Sequence, residues 1–133
     1  MGALRAFGPL IGRVLISTIF LLSSIGKIMD WNGSAHYMAA KGVPLVPLFL
    51  SIALLLELAG GLMVLTGFRA RTGALLLMVF LIPVTVILHN FWALDGMDQY
   101  IQRIMFLKNL AILGGLLMIY THGSGPFSLK RDV

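Results

Sequence analysis

The chain has 133 residues, of which 59% are hydrophobic and only 11% charged, with a formal net charge of +5 and no cysteine. Soluble domains run at roughly 45–50% apolar and about 25% charged, so one small domain could not hide this surface from water, and a disordered chain would be polar instead. Disulfides, thiolate metal sites and thiol chemistry are excluded as well, and a small polytopic membrane protein remains.

The first apolar run covers residues 7–28, with residues 14–26 free of charge. Its end, Ser24-Ile25-Gly26, loosely resembles a signal-peptide cleavage site. Arg13 inside the run and the polar stripe on it favour a packed helix instead. Arg13, Ser17, Phe20, Ser24 and Lys27 stand at offsets 0, 4, 7, 11 and 14. At about 100° per residue they share one face less than a quarter-turn wide. That stripe reads as a structural polar seam, and it is equally suited to lining a ligand. The loop that follows, residues 29–45, is long enough for a short interfacial segment carrying Trp31, Tyr37 and Met38, and Gly42-Val43-Pro44 reads as a turn.

The second run, residues 46–66, is interrupted by Glu57. Ala53, Glu57 and Gly61 are spaced by four, with Gly60 beside them, and small residues let a neighbouring helix come close. A carboxylate roughly 16 Å into a span, at 1.5 Å per residue, needs a counter-charge or a proton. It serves either as an ion pair holding the bundle or as a group for proton transfer or ligand contact. The third run, residues 72–94, contains Pro83, which deprives the carbonyl of Val79 of its donor. Thr85, His89 and Trp92 are expected on one face of it, with Asn90 adjacent. No His or carboxylate stands three or four residues from His89, so haem or zinc has no local support, and no metal site is expected. The fourth run, residues 103–121, places Lys108, Ala111 and Gly115 on a stripe that ends at His122, with Asn109 beside it. Gly114 and Gly115 there, like Gly60 and Gly61, are expected at helix contacts.

Together these runs predict an all-α membrane protein over residues 1–133, a single four-helix transmembrane bundle. Continuous runs exclude a β-barrel. Arg5, Arg69, Arg71, Lys130 and Arg131 fall at one end, and Lys27, Lys41 and Arg103 at the other, offset by Asp30, Asp95 and Asp98. Positive-inside then puts both termini in the cytoplasm. The net charge is assigned to an anionic lipid surface rather than to nucleic acid.

Counting charges gives the sharpest functional expectation. Arg13, Lys27 and Lys108 face inward against Glu57 alone, and His89 is able to add to them. One carboxylate does not neutralise them. Either a lysine is neutral, or the cluster reaches water, or an electron-rich ligand completes it: a lipid phosphate, a quinone carbonyl or a small oxyanion. Glu57, His89 and Lys108 are therefore expected to converge in the outer half of the bundle, with Asn109 and Lys27 as further ligand contacts.

These residues also carry a family likeness over nearly the whole chain. Arg13, Phe20-Leu21, Ser23 and Lys27 follow the order of an R-x-x-x-G-x-x-F-L-x-x-G-x-x-K pattern. Gly42-Val43-Pro44, Glu57-Leu58-Ala59-Gly60-Gly61 with Gly67 and Arg71, His89-Asn90-Phe91-Trp92, and Lys108-Asn109-Leu110-Ala111 with Gly114-Gly115 come after it. In this the chain resembles the DoxX family, although Ser17 and Ser24 stand where that family usually has glycine. The resemblance implies a four-helix bacterial inner-membrane protein. Some relatives are small subunits of thiosulfate:quinone oxidoreductases, and others associate with redox or detoxification partners.

Three functions follow from this, in order. The first is an accessory or scaffold component of a redox- or stress-linked membrane complex. The second is a quinone-interacting oxidoreductase subunit with its polar site in the outer half of the bundle. The third is a small transporter or proton pathway, for which four spans are few. Quinone and bound lipid are the ligands to consider, and membrane lipids, a protein of such a complex or a second copy of this chain are the partners. No catalytic residue is assigned.

Overall fold

The computed structural model describes residues 1–130, so Arg131 of the basic end lies outside the described residues. Five α-helices form: α1 (Gly2–Met29), α2 (Trp31–Ala40), α3 (Val46–Thr66), α4 (Ala70–Leu88) and α5 (Gly96–His122), with a 3-10 turn at Phe91–Ala93. Four are long and apolar enough to cross a membrane. The fifth, α2, is the short segment in the first loop. The Asp30 side chain caps it by accepting from the Gly33 N–H.

α3 begins and ends where the hydropathy places it. The others differ for local reasons. α1 starts at Gly2 because Ala3, Leu4 and Ala6 extend the helical run past Arg5. α4 runs through Pro83 and stops at Leu88 rather than Leu94. His89 and Asn90 leave helical geometry, and the chain re-forms only the 3-10 turn. His89 and Trp92 are thus not on the helical face that carries Thr85. α5 starts at Gly96, seven residues before Arg103. Its first two turns are polar, so hydropathy does not reveal them; Asp98 there suits the positive end of the helix dipole.

The core lies where α1, α3, α4 and α5 face each other, built on Phe20, Val64, Leu77, Phe80, Leu81 and Leu116. Phe20 meets Phe80 edge-on at 6.3 Å. α3 packs closely on α4 because each brings a glycine to the crossing. A Cβ at Gly60 would lie 2.9 Å from the Gly73 carbonyl and 2.8 Å from Leu77 Cγ. Gly61 takes Leu21 of α1 in the same way, and Gly115 takes Ile16. Gly114 does not pack: a Cβ there would meet nothing within 4 Å, because its neighbour at 115 holds the inward position. Gly60→Leu and Gly61→Leu should therefore each cost about 1–3 kcal/mol through overpacking. Gly114→Leu should melt with the wild type in detergent. An equal loss in all three would place Gly114 back at a contact.

α1 packs on α3, α3 on α4 and α4 on α5, but α1 and α5 make little contact. The ring of four helices is therefore open along one seam. After α5 the chain turns back across one end of the bundle. Leu129 N–H donates to the Thr66 carbonyl at 3.0 Å and Arg69 N–H to the Lys130 carbonyl at 3.3 Å.

Candidate ligand-binding site

Each polar side chain of α1 resolves differently. Ser17 and Ser24 are fully buried and donate to carbonyls of their own helix, Val14 at 3.1 Å and Phe20 at 2.8 Å. Their hydroxyls are spent within the seam. Arg13 lies at the other end of the bundle from Lys27. Its guanidinium donates to the carbonyls of Val64 and Leu65 at the end of α3 and of Pro126 and Phe127 in the C-terminal segment, at 2.8–3.3 Å. It takes no part in the cluster around Glu57.

Glu57 is 2% exposed, and its partner is Lys27, not Lys108. The Lys27 ammonium sits 2.8 Å from Glu57 Oε2 and 2.7 Å from Ser23 Oγ, above the face of Phe80 at 5.5 Å. Ser23 precedes Lys27 by four residues, the helical spacing that lets one side chain serve the other. That spacing was the available signal for Ser23.

Lys108 remains outside this pair. It is exposed, and its recorded contact is Met105 Sδ at 3.4 Å. Gly115 meets Ile16 across the seam, so counting seven residues outward on both antiparallel helices puts Lys108 level with Ser23. Beside it, Asn109 is buried and donates to Thr85 Oγ1 at 3.1 Å, whose own hydroxyl donates to the Leu81 carbonyl at 2.6 Å. His89, at the end of α4, places Nδ1 2.7 Å from Gln102 Oε1. An amide oxygen only accepts, so in this arrangement Nδ1 carries the proton and Nε2 of the neutral ring is an acceptor. Gln102 was hidden in the sequence because that stretch reads as loop.

These groups surround one cavity of about 620 Å³, lined by Lys27, Glu57, His89, Lys108 and Asn109 among apolar side chains. Glu57, His89 and Lys108 all border this space, with Lys27 and Asn109, but Lys108 does so from an exposed position on α5 rather than from inside the bundle. α2 borders the same space through Ser34, Tyr37 and Met38. It is tied down by Tyr37 Oη donating to the Leu88 carbonyl at 3.3 Å and Lys41 Nζ to Asn90 Oδ1 at 3.1 Å. Partial burial holds the Tyr37 phenol above its ordinary value, so it stays a donor. Among the described residues, no three of His, Asp and Glu come together to hold a metal ion.

Chemically the cavity offers an apolar chamber at membrane depth, one neutralised ion pair and a separate ammonium with N–H groups to spare. It suits an amphiphile whose polar end accepts hydrogen bonds.

The DoxX family profile matches residues 8–90, and that of the SURF4 family matches residues 59–132. The chain is 36% identical to inner membrane protein YqjF of Escherichia coli, over 98% of this chain and 95% of that one. It is 32% identical to inner membrane protein YphA of the same organism, over 98% and 93%. A surfeit locus protein 4 homolog of Schizosaccharomyces pombe is 28% identical over 96% of this chain but only 38% of its own length. No solved structure matches. Four apolar helices, together with relatives of this length and location, make the chain a multi-pass protein of the bacterial inner membrane, and with over half of it under the matching profile it belongs to the DoxX family.

Proposed function

We propose that the protein is a binding component of a redox-linked inner-membrane complex, and that its cavity takes an amphiphile of the quinone class. The observation that carries this reading is the polar lining of an otherwise apolar cavity of about 620 Å³, within the range of small-molecule sites. A quinone carries two carbonyl acceptors on an apolar ring. Lys108 Nζ is a donor suited to one of them, His89 Nε2 is an acceptor suited to the hydroxyl of the reduced quinol, and the Lys27–Glu57 pair gives the floor polarity without net charge. The chain itself holds no cysteine, so it presents the ligand to a partner's electron carrier rather than supplying thiol chemistry.

Titrating the detergent-solubilised protein with a short-chain ubiquinone tests this. The melting temperature should rise saturably, and Lys108→Met should weaken the apparent affinity about tenfold, the loss of one hydrogen bond from a charged donor. A melting temperature indifferent to quinone would leave the scaffold reading as the better one.

In the same reading both termini face the cytoplasm. The end of the bundle with Arg5, Arg69, Arg71 and Lys130 is the more basic one, and the cavity opens at the other. Reporter fusions at Val133 and within residues 97–100 should report cytoplasm and periplasm respectively. The reverse pattern would overturn the orientation.

A further inference from the structure

The open seam between α1 and α5 forms a second groove, of about 400 Å³, at the end of the bundle opposite the first cavity. Its walls are apolar and narrow-shouldered: Gly12 and Ile16 from α1, Gly115 and Met118 from α5. Its end is polar, where Arg13, His122 and Ser124 meet.

That polar end is incomplete. Arg13 is 2% exposed, and no carboxylate of the described residues pairs with it. Four carbonyls occupy its two terminal nitrogens, but Nε is buried with no hydrogen-bond partner. Ser124 is buried as well, and its Oγ has no partner either. His122, at the rim, donates Nδ1–H to the Met118 carbonyl at 3.2 Å. Buried donors are nearly always satisfied, so two orphans in one groove, beside a guanidinium that pairs with no carboxylate among the described residues, describe the complement of an anion. Arg5, Arg69 and Lys130 are exposed at the same end of the bundle, which puts the groove's polar end at headgroup depth.

We infer that this groove is a phospholipid site. An acyl chain lies in the seam along Gly12, Ile16 and Gly115, and the phosphodiester meets the donors Arg13 Nε and Ser124 Oγ. The lipid completes the ring of helices where α1 and α5 stand apart. The site is separate from the first cavity and does not depend on what that cavity binds.

The test uses the full chain, stripped of lipid in detergent, and reads its melting temperature against three probes. Phosphatidylglycerol should raise it saturably, while diacylglycerol with the same acyl chains and millimolar inorganic phosphate should not. Ser124→Ala removes an unpartnered hydroxyl, so the variant should melt no lower than wild type without lipid, yet bind phosphatidylglycerol about tenfold more weakly. Gly12→Leu fills the groove from a position where a Cβ meets nothing within 4 Å, and should abolish the shift. Lys108→Met should leave it intact, which separates this site from the quinone reading. A full shift with inorganic phosphate alone would make the ligand a free anion and overturn the lipid. An equal shift with diacylglycerol would overturn the phosphate contact. Wild-type responses in both groove variants would overturn the site.

Discussion

Replacing Lys27 by methionine should destabilise the bundle by about 3–5 kcal/mol, because it strands a carboxylate that is 2% exposed. Replacing Glu57 by glutamine should cost less, about 3 kcal/mol. The Lys27 side chain is 19% exposed, borders the open cavity and keeps Ser23 Oγ and the face of Phe80 as partners. The double variant Glu57→Gln, Lys27→Met should recover much of the larger loss, since neither charge is then left alone. Pairing Glu57→Gln with Lys108→Met should recover nothing, because Lys108 does not touch Glu57. Thermal unfolding of the set in detergent gives the coupling energy directly. Recovery with Lys108 rather than Lys27 would show that the ion pair has been assigned to the wrong lysine.

The choice between those lysines marks what the sequence could and could not convey. Glu57 announces itself as a charge deep in an apolar run, and its need for a partner is a matter of energy alone. Which lysine answers depends on the rotation of α1 and α5 about their axes and on the reach of a long side chain down from the helix end. Hydropathy contains neither. The boundaries divide in the same way. Val46–Thr66 is bounded by Pro44 and Gly67, and both limits are legible. The end of α4 is not: apolar residues continue to Leu94, and only the polar pair His89-Asn90 turns the chain. That Glu57 turns inward was within reach because polar groups in spans avoid lipid, but Lys108, which borders the same cavity, stays exposed. The second groove was not within reach, because it rests on which helices fail to touch and on a C-terminal segment with no periodic signal.

Arg13→Met should be among the most damaging substitutions in the chain, at roughly 3–5 kcal/mol, through loss of one buried and three part-buried charge-assisted hydrogen bonds. In the sequence Arg13 reads as one more member of a polar seam; its partners are backbone carbonyls, which no sequence pattern displays. Two things depend on it. The carbonyls of Val64 and Leu65 belong to the last turn of α3, where the helix dipole leaves partial negative charge, and the guanidinium answers it from α1. Gly67 makes room for this: it has φ +74°, and a Cβ there would come within 2.5 Å of the Arg13 terminal nitrogen. The carbonyls of Pro126 and Phe127 are held by the same group, so Arg13 also ties the C-terminal segment beneath the bundle, assisted by the stacking of Phe127 on Phe7 at 5.0 Å. Loss of the guanidinium should therefore act twice. The melting temperature should fall, and chymotrypsin should cut after Phe127 faster than in the wild type, because the segment opens before the bundle does. Arg13→Lys should restore little of either, since one ammonium does not span carbonyls on two sides of a planar fork. A methionine variant with wild-type melting and wild-type cleavage would mean that the segment is held by its backbone contacts to Thr66 and Arg69 alone.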